Sequence, residues 1–221
     1  MDDEALRIKQ LKFLTMKRCH LREAPSLRYA AASLRELNLN DNFITSLPMD
    51  YFQGCVRLHS VFLGNNYLTS LPEISCVHTT LKSIFFHGNM ISGISAIYKV
   101  NFPKLRKIIV CENAIAYFNF TAISTKWPVL ETLDLSRNNM TWMDDVRREE
   151  MDTECMLLLK NNPWHCGEKM VWLLNASVEE TCVQRHCRIA LGDFEVWNDN
   201  SFICESPEYL KGMSILKLGN Q

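Results

Sequence analysis

Apolar residues in this chain follow neither a helical period nor a plain alternation, but a compound rhythm that recurs. In "LETLDLSRNNM" (130–140), Leu130, Leu133 and Leu135 are followed by Asn138 and Met140. Counted from the first leucine, apolar side chains take positions 1, 4, 6 and 11, and Asn takes position 9. "LRELNLNDNFI" (34–44), "LHSVFLGNNYL" (58–68), "LKSIFFHGNMI" (81–91) and "LRKIIVCENAI" (105–115) fill the same slots. "LKFLTMKRCHL" (11–21) has Cys19 at position 9, and "ECMLLLKNNPW" (154–164) keeps Leu157, Leu159 and Asn162. The starts fall 23 to 25 residues apart. Apolar residues at 4 and 6 predict a short strand over positions 3–7, with 4 and 6 inward and 3, 5 and 7 outward. One such unit cannot bury its own apolar face, so the units must stack.

This pattern is the leucine-rich repeat signature, L-x-x-L-x-L-x-x-N/C-x-L, and the period lies in that family's range. Position 14 is apolar in six units (Ala24, Leu47, Leu71, Ile94, Phe118, Met143), and Pro25, Pro48 and Pro72 follow it in three. The resemblance implies an α/β solenoid: an arc with short parallel strands on its concave face. It also implies a ladder of position-9 Asn side chains bonding neighbouring backbones, which satisfies groups costly to bury bare. Cys19 would serve there with a weaker donor. The expected division is an N-terminal flank at 1–10, about seven repeats over 11–161 with the last merging into the cap, and a cysteine-rich cap at 162–221.

Composition narrows the rest. The net charge is −1, so nothing global points to nucleic acid. No apolar run reaches a membrane span. The start, "MDDEALRIKQ", lacks the apolar core of a secretion signal.

Nine cysteines fall into two sets. Cys19, Cys55, Cys76, Cys111 and Cys155 have no regular spacing and are expected as buried or semi-buried thiols. Cys166, Cys182, Cys187 and Cys204 cluster after "NNPWHC", and the tail closes "CESPEYLKG". Asn162, Pro163, Trp164 and Cys166, with Pro207, Leu210 and Gly212 at the close, resemble the disulfide-stabilised C-terminal cap of extracellular leucine-rich repeat proteins. The resemblance implies an amphipathic cap helix in "EKMVWLLNAS" (168–177). By analogy it suggests bridges Cys166–Cys187 and Cys182–Cys204, although four cysteines allow three connectivities and Gly167 stands where many caps continue to a second Cys. Zinc is the rival use of these thiols with His165 and His186. The C-x4-C at 182–187 has no second short pair, which favours disulfides.

Disulfides imply an oxidising compartment, so the expectation is a secreted or cell-surface ectodomain whose signal is missing. Three sequons, at Asn119, Asn139 and Asn175, agree with a glycoprotein, although chance alone supplies about two. No N-terminal cysteine cap precedes Leu11; charge in residues 1–10, removed repeats or another chain could cover that end. The charge run 144–154 reads as a solvated helix.

The outward strand column at position 5 runs Thr15, Asn38, Phe62, Phe85, Ile109, Asp134, Leu158. Three consecutive large apolar residues on a face expected to be wet mark a partner site at Phe62, Phe85 and Ile109. His87 lies beside them, and Lys82 and Arg106 belong to a basic position-2 column that begins Lys12, Arg35, His59. Aromatic neighbours on adjacent strands also stabilise sheets without binding anything.

No G-x-S-x-G, H-E-x-x-H or phosphate-cradling loop is present, so no catalysis and no cofactor are expected. The capped architecture resembles Toll-like receptor ectodomains and secreted immune or adhesion proteins. It implies extracellular recognition of a protein or microbial ligand, with an extracellular structural or assembly subunit as the alternative. The oligomeric state is not legible.

Overall fold

A computed structural model describes residues 10–143, 155–167, 187–190 and 203–213. The predicted strands form, each three or four residues long. They are β1 (Phe13–Thr15), β2 (Glu36–Asn38), β3 (Ser60–Phe62), β4 (Ser83–Phe85), β5 (Lys107–Ile109), β6 (Thr132–Asp134) and β7 (Cys155–Leu158). All pair in parallel and in unbroken register, so that Leu37, Val61, Ile84, Ile108, Leu133 and Leu157 form one buried row. β9 (Cys187–Ala190) adds an eighth strand against β7, so the sheet extends into the expected cap. β8 (Trp164–His165) and β10 (Cys204–Ser206) form a separate pair. The fold is a parallel β-solenoid.

The Asn ladder is realised bond by bond. In the third coil, Asn66 Oδ1 accepts from the Ile44 N–H of the coil before at 3.0 Å. Its Nδ2 donates to Leu39 O at 3.0 Å and to Leu63 O at 3.1 Å. Asn89, Asn113, Asn138 and Asn162 repeat the arrangement one coil at a time. Each side chain thereby satisfies an inward N–H and two inward carbonyls that no strand partner reaches. Cys19 does not join the ladder. It is exposed, and its thiol reaches only Lys17 O in its own coil. Cys76 is exposed too, against the expectation of a buried or semi-buried thiol.

Position 8 carries a feature that the residue types conceal. Arg18, Asp41, Asn65, Glu112, Arg137 and Asn161 all have φ between 53° and 58°, and Gly88 has φ 63°. The left-handed bend turns the chain out of the strand and aims the next residue, the ladder Asn, inward. The position-8 N–H is also spent on the next coil: Asp41 donates to Gly64 O at 2.9 Å and Asn65 to His87 O at 2.7 Å. Such backbone costs about 1–3 kcal/mol per non-glycine residue and persists only where surroundings over-determine it.

Among the described residues, the returning half of each of the first five coils is less helical than an α/β solenoid suggests. It has turns in the first two coils, 3₁₀ segments at Ser75–Val77 and Ser95–Lys99, and one short helix, α1 (Thr121–Lys126). α1 lies in the unit that runs 25 residues to the next start, the longest of the repeats. Helix spends residues at 1.5 Å each against about 2.0 Å for 3₁₀, so the extra residues fit there. Phe118, Phe120 and Trp127 pack together behind this coil, with centroids 4.8 to 6.0 Å apart.

The cap holds one correction. Cys166 is bridged to Cys204, with Cα atoms 5.6 Å apart. This excludes both Cys166–Cys187 and Cys182–Cys204. β8 and β10 lie side by side and bring the two sulfurs together, whereas Cys187 lies in β9 on the repeat sheet. Cys182, the proposed cap helix, the charge run 144–154 and residues 1–9 lie outside the described residues.

Candidate functional site

The backbone of the strand face is saturated by its neighbours, so only side chains are on offer there. Register places Asn38, Phe62, Phe85, Ile109 and Asp134 directly across from one another. The three apolar residues predicted as a partner site are therefore contiguous. The Phe62 and Phe85 rings stack 4.5 Å apart at 6°, and both are half-buried. Part of their apolar surface is spent on each other, as cross-strand pairs do. Ile109 is half-buried too, so the patch offers part of each of the three side chains, flanked by Asn38 on one side and Asp134 on the other.

His87 lies on the same face, in the following column, and explains a glycine. Its imidazole lies over Gly64 on the adjacent coil, where a Cβ would collide with the ring. Gly64 is further held by the Asn40 side chain, which accepts its N–H at 2.7 Å. His87 is thus packed as part of the wall of the face.

The basic column is weaker than its sequence suggests. Lys82 and Arg106 are exposed, but Arg106 is ion-paired with Glu131 on the next coil. His59 is half-buried, and burial, with Lys82, Arg35 and Lys104 nearby, holds its imidazole below the usual range. It contributes no charge at neutral pH. Arg35 and Lys82 carry the positive flank.

Cys111, beside His87 in the same column, invites a catalytic reading, but its chemistry opposes one. Burial, then the charge of Asp134, pushes the thiol up to about 12. It stays protonated and is a poor nucleophile. No group of three His, Cys, Asp or Glu side chains suited to a metal exists among the described residues. No helix among them is long and apolar enough to cross a membrane.

Of the sequons, Asn139 is exposed, Asn119 is half-buried with its N–H bonded to the Tyr98 hydroxyl, and Asn175 lies outside the described residues.

One surface escaped the reading of the strand columns. Position 10, just beyond the ladder Asn, is exposed and apolar in three consecutive coils: Phe43, Tyr67 and Met90. Its rings stack, His20 on Phe43 at 5.7 Å and Phe43 on Tyr67 at 6.0 Å. Its signal in the sequence is the recurrence of a large apolar residue at position 10 of successive units.

Comparison with known proteins places these features. The family model described as "Leucine rich repeat" matches residues 32–91. Leucine-rich repeat-containing protein 3 of Danio rerio is 27% identical over 154 residues, covering 70% of this chain and 45% of that protein. The adenylate cyclase of Schizosaccharomyces pombe is 30% identical over 128 residues, covering 53% of this chain but 7% of the enzyme. The chain thus spans less than half the length of either relative. Among solved structures, a chain of the octameric complex of Latrophilin 3, Unc5D and FLRT2, in which FLRT2 contributes the leucine-rich repeat part, superposes with a TM-score of 0.67. That superposition covers 97% of this chain and 70% of the other at 18% identity.

Proposed function

The chain being a leucine-rich repeat protein, we propose that it is a non-catalytic recognition module of an extracellular protein, binding a protein ligand of host or microbial origin. The observation that carries this is the strand face itself. A contiguous apolar patch of Phe62, Phe85 and Ile109 is presented on a backbone whose hydrogen bonds are already made, with Arg35 and Lys82 beside it. Such a surface offers shape, apolar area and a positive flank, and no reactive group. The fitting partner has an apolar contact and an acidic border. The solved complex containing an FLRT2 leucine-rich repeat part supports protein partners as a class. The Cys166–Cys204 bridge supports the oxidising compartment. Asn139, exposed within its sequon, is the proposed glycan acceptor.

The test is a screen of the chain, secreted behind a heterologous leader, against a panel of cell-surface ectodomains. The expected binder weakens about tenfold or more with Phe62→Ser plus Phe85→Ser, while circular dichroism shows the fold intact. A binder indifferent to both substitutions refutes the site. Reduced Cys166 and Cys204 in peptide mass spectrometry of the secreted chain would refute the compartment, and an unchanged gel position after deglycosylation would refute the glycan.

A further inference from the structure

The strand face is not the only surface that invites a partner. Positions 10, 12 and 13 of the second to fifth coils form one lateral strip, exposed at every position. Its large residues are Phe43, Tyr67, Met90 and Tyr117, each 42 to 49% exposed. The remaining positions hold only Ser, Thr, Ala and Gly. In a chain with 22% charged residues, a strip of this size would ordinarily carry about two or three charges, and it carries none. Charge appears at its first-coil border, where Arg22 and Glu23 line a shallow depression beside Phe43 and Tyr67. The aromatic and Met anchors and the exclusion of Lys, Asp and Glu are features of an interface centre, whereas the Ser and Ala between them are not.

Two observations specify what would fit. The backbone N–H groups of Phe43, Tyr67 and Met90 donate to Leu21 O, Ile44 O and Leu68 O of the preceding coils at 2.7 to 2.9 Å. They are not available to pair with an added strand. An extended peptide laid here would bury unpaired amides of its own, whereas a helix arrives with its backbone satisfied. The Phe43 and Tyr67 rings, on successive coils, have centroids 6.0 Å apart. Residues four apart on a helix rise about 6.0 Å. We infer that this lateral strip is a second docking surface, and that its occupant is an amphipathic α-helix of a partner protein. The helix lies along the solenoid axis and sets an uncharged apolar face, repeating at i, i+4 and i+7, against the Phe43–Tyr67–Met90 column. The inference is independent of the strand-face reading, because it uses other residues on another side of each coil.

The test uses the full chain and a displayed library of about 18-residue helical peptides, with apolar residues at i, i+4, i+7 and i+11 and Gln, Ser or Ala elsewhere. Enriched peptides are measured by fluorescence anisotropy against the chain, Tyr67→Ser, Phe43→Ser and Phe62→Ser plus Phe85→Ser, each checked for fold by circular dichroism. The expected result is binding that falls about tenfold or more with Tyr67→Ser and with Phe43→Ser. It is kept with the strand-face pair and lost when a central proline breaks the peptide helix. No enrichment, binding that follows the strand-face pair, or binding that survives the proline would overturn the inference. Self-association in sedimentation that Tyr67→Ser abolishes would also overturn it, in favour of a second copy of the chain.

Discussion

The first coil and the third follow the same arrangement of residues and reach different ends. In the third, Leu58, Val61 and Leu63 are fully buried and Asn66 is 4% exposed. In the first, Leu11, Leu14 and Leu21 are only half-buried, Phe13 is 61% exposed, and Cys19 faces solvent. The third coil is covered by β2 on one side and β4 on the other, while β1 is covered by β2 alone among the described strands. Burial in a solenoid is a property of the stack, so the same side chain has a different worth by place.

Substitutions can break that contrast. The largest effect is expected at the ladder. Asn66→Ala strands the Ile44 N–H in the interior and removes one of two side-chain donors from each of the Leu39 and Leu63 carbonyls, which keep Asn42 and Asn89, and should cost about 3–4 kcal/mol in urea unfolding. Cys19→Ala should change stability by less than about 0.5 kcal/mol. Equal losses would mean the first coil is as tightly built as the third. Next come the inward leucines: Leu63→Ala should cost about 3 kcal/mol and Leu14→Ala about 1, since the half-buried site leaves little cavity.

Smaller effects sharpen the picture through the thiols. Burial pushes Cys55, Cys111 and Cys155 up to about 12 from the usual 9, and it raises the Tyr51 and Tyr98 hydroxyls as well. Above pH 9 the unfolded chain releases thiol protons that the folded chain keeps, so stability should fall as pH rises from 9 toward 12. Urea midpoints that stay level across that window would contradict the burial. Thiol labelling at neutral pH should modify exposed Cys19 first and then Cys76, whose thiol is also raised by burial. Cys55, Cys111 and Cys155 should react only on unfolding.

Much of this architecture was legible in the residues. Leu133, Leu135 and Asn138 are chemically distinct and fixed in spacing, so they announce the strand, its inward face and the ladder without coordinates. The partner patch was legible for the same reason: Phe62, Phe85 and Ile109 share one slot in successive units. Position 8 was not legible, because Arg18, Glu112 and Arg137 have no common chemistry and no preference for positive φ. The cap pairing was not legible either, since spacing alone leaves three connectivities open.

By itself the amino-acid order determined the phase of the repeats, the inward and outward faces of each strand, and which coil lacks a ladder Asn. These depend on the alternation of side chains along one backbone, which is local geometry. Only the tertiary structure decided that Cys166 meets Cys204, that position 8 bends left-handed whatever residue occupies it, and that Phe43 stacks on Tyr67. Each of these is settled by contact between segments far apart in the chain, where the neighbouring backbone dictates the outcome.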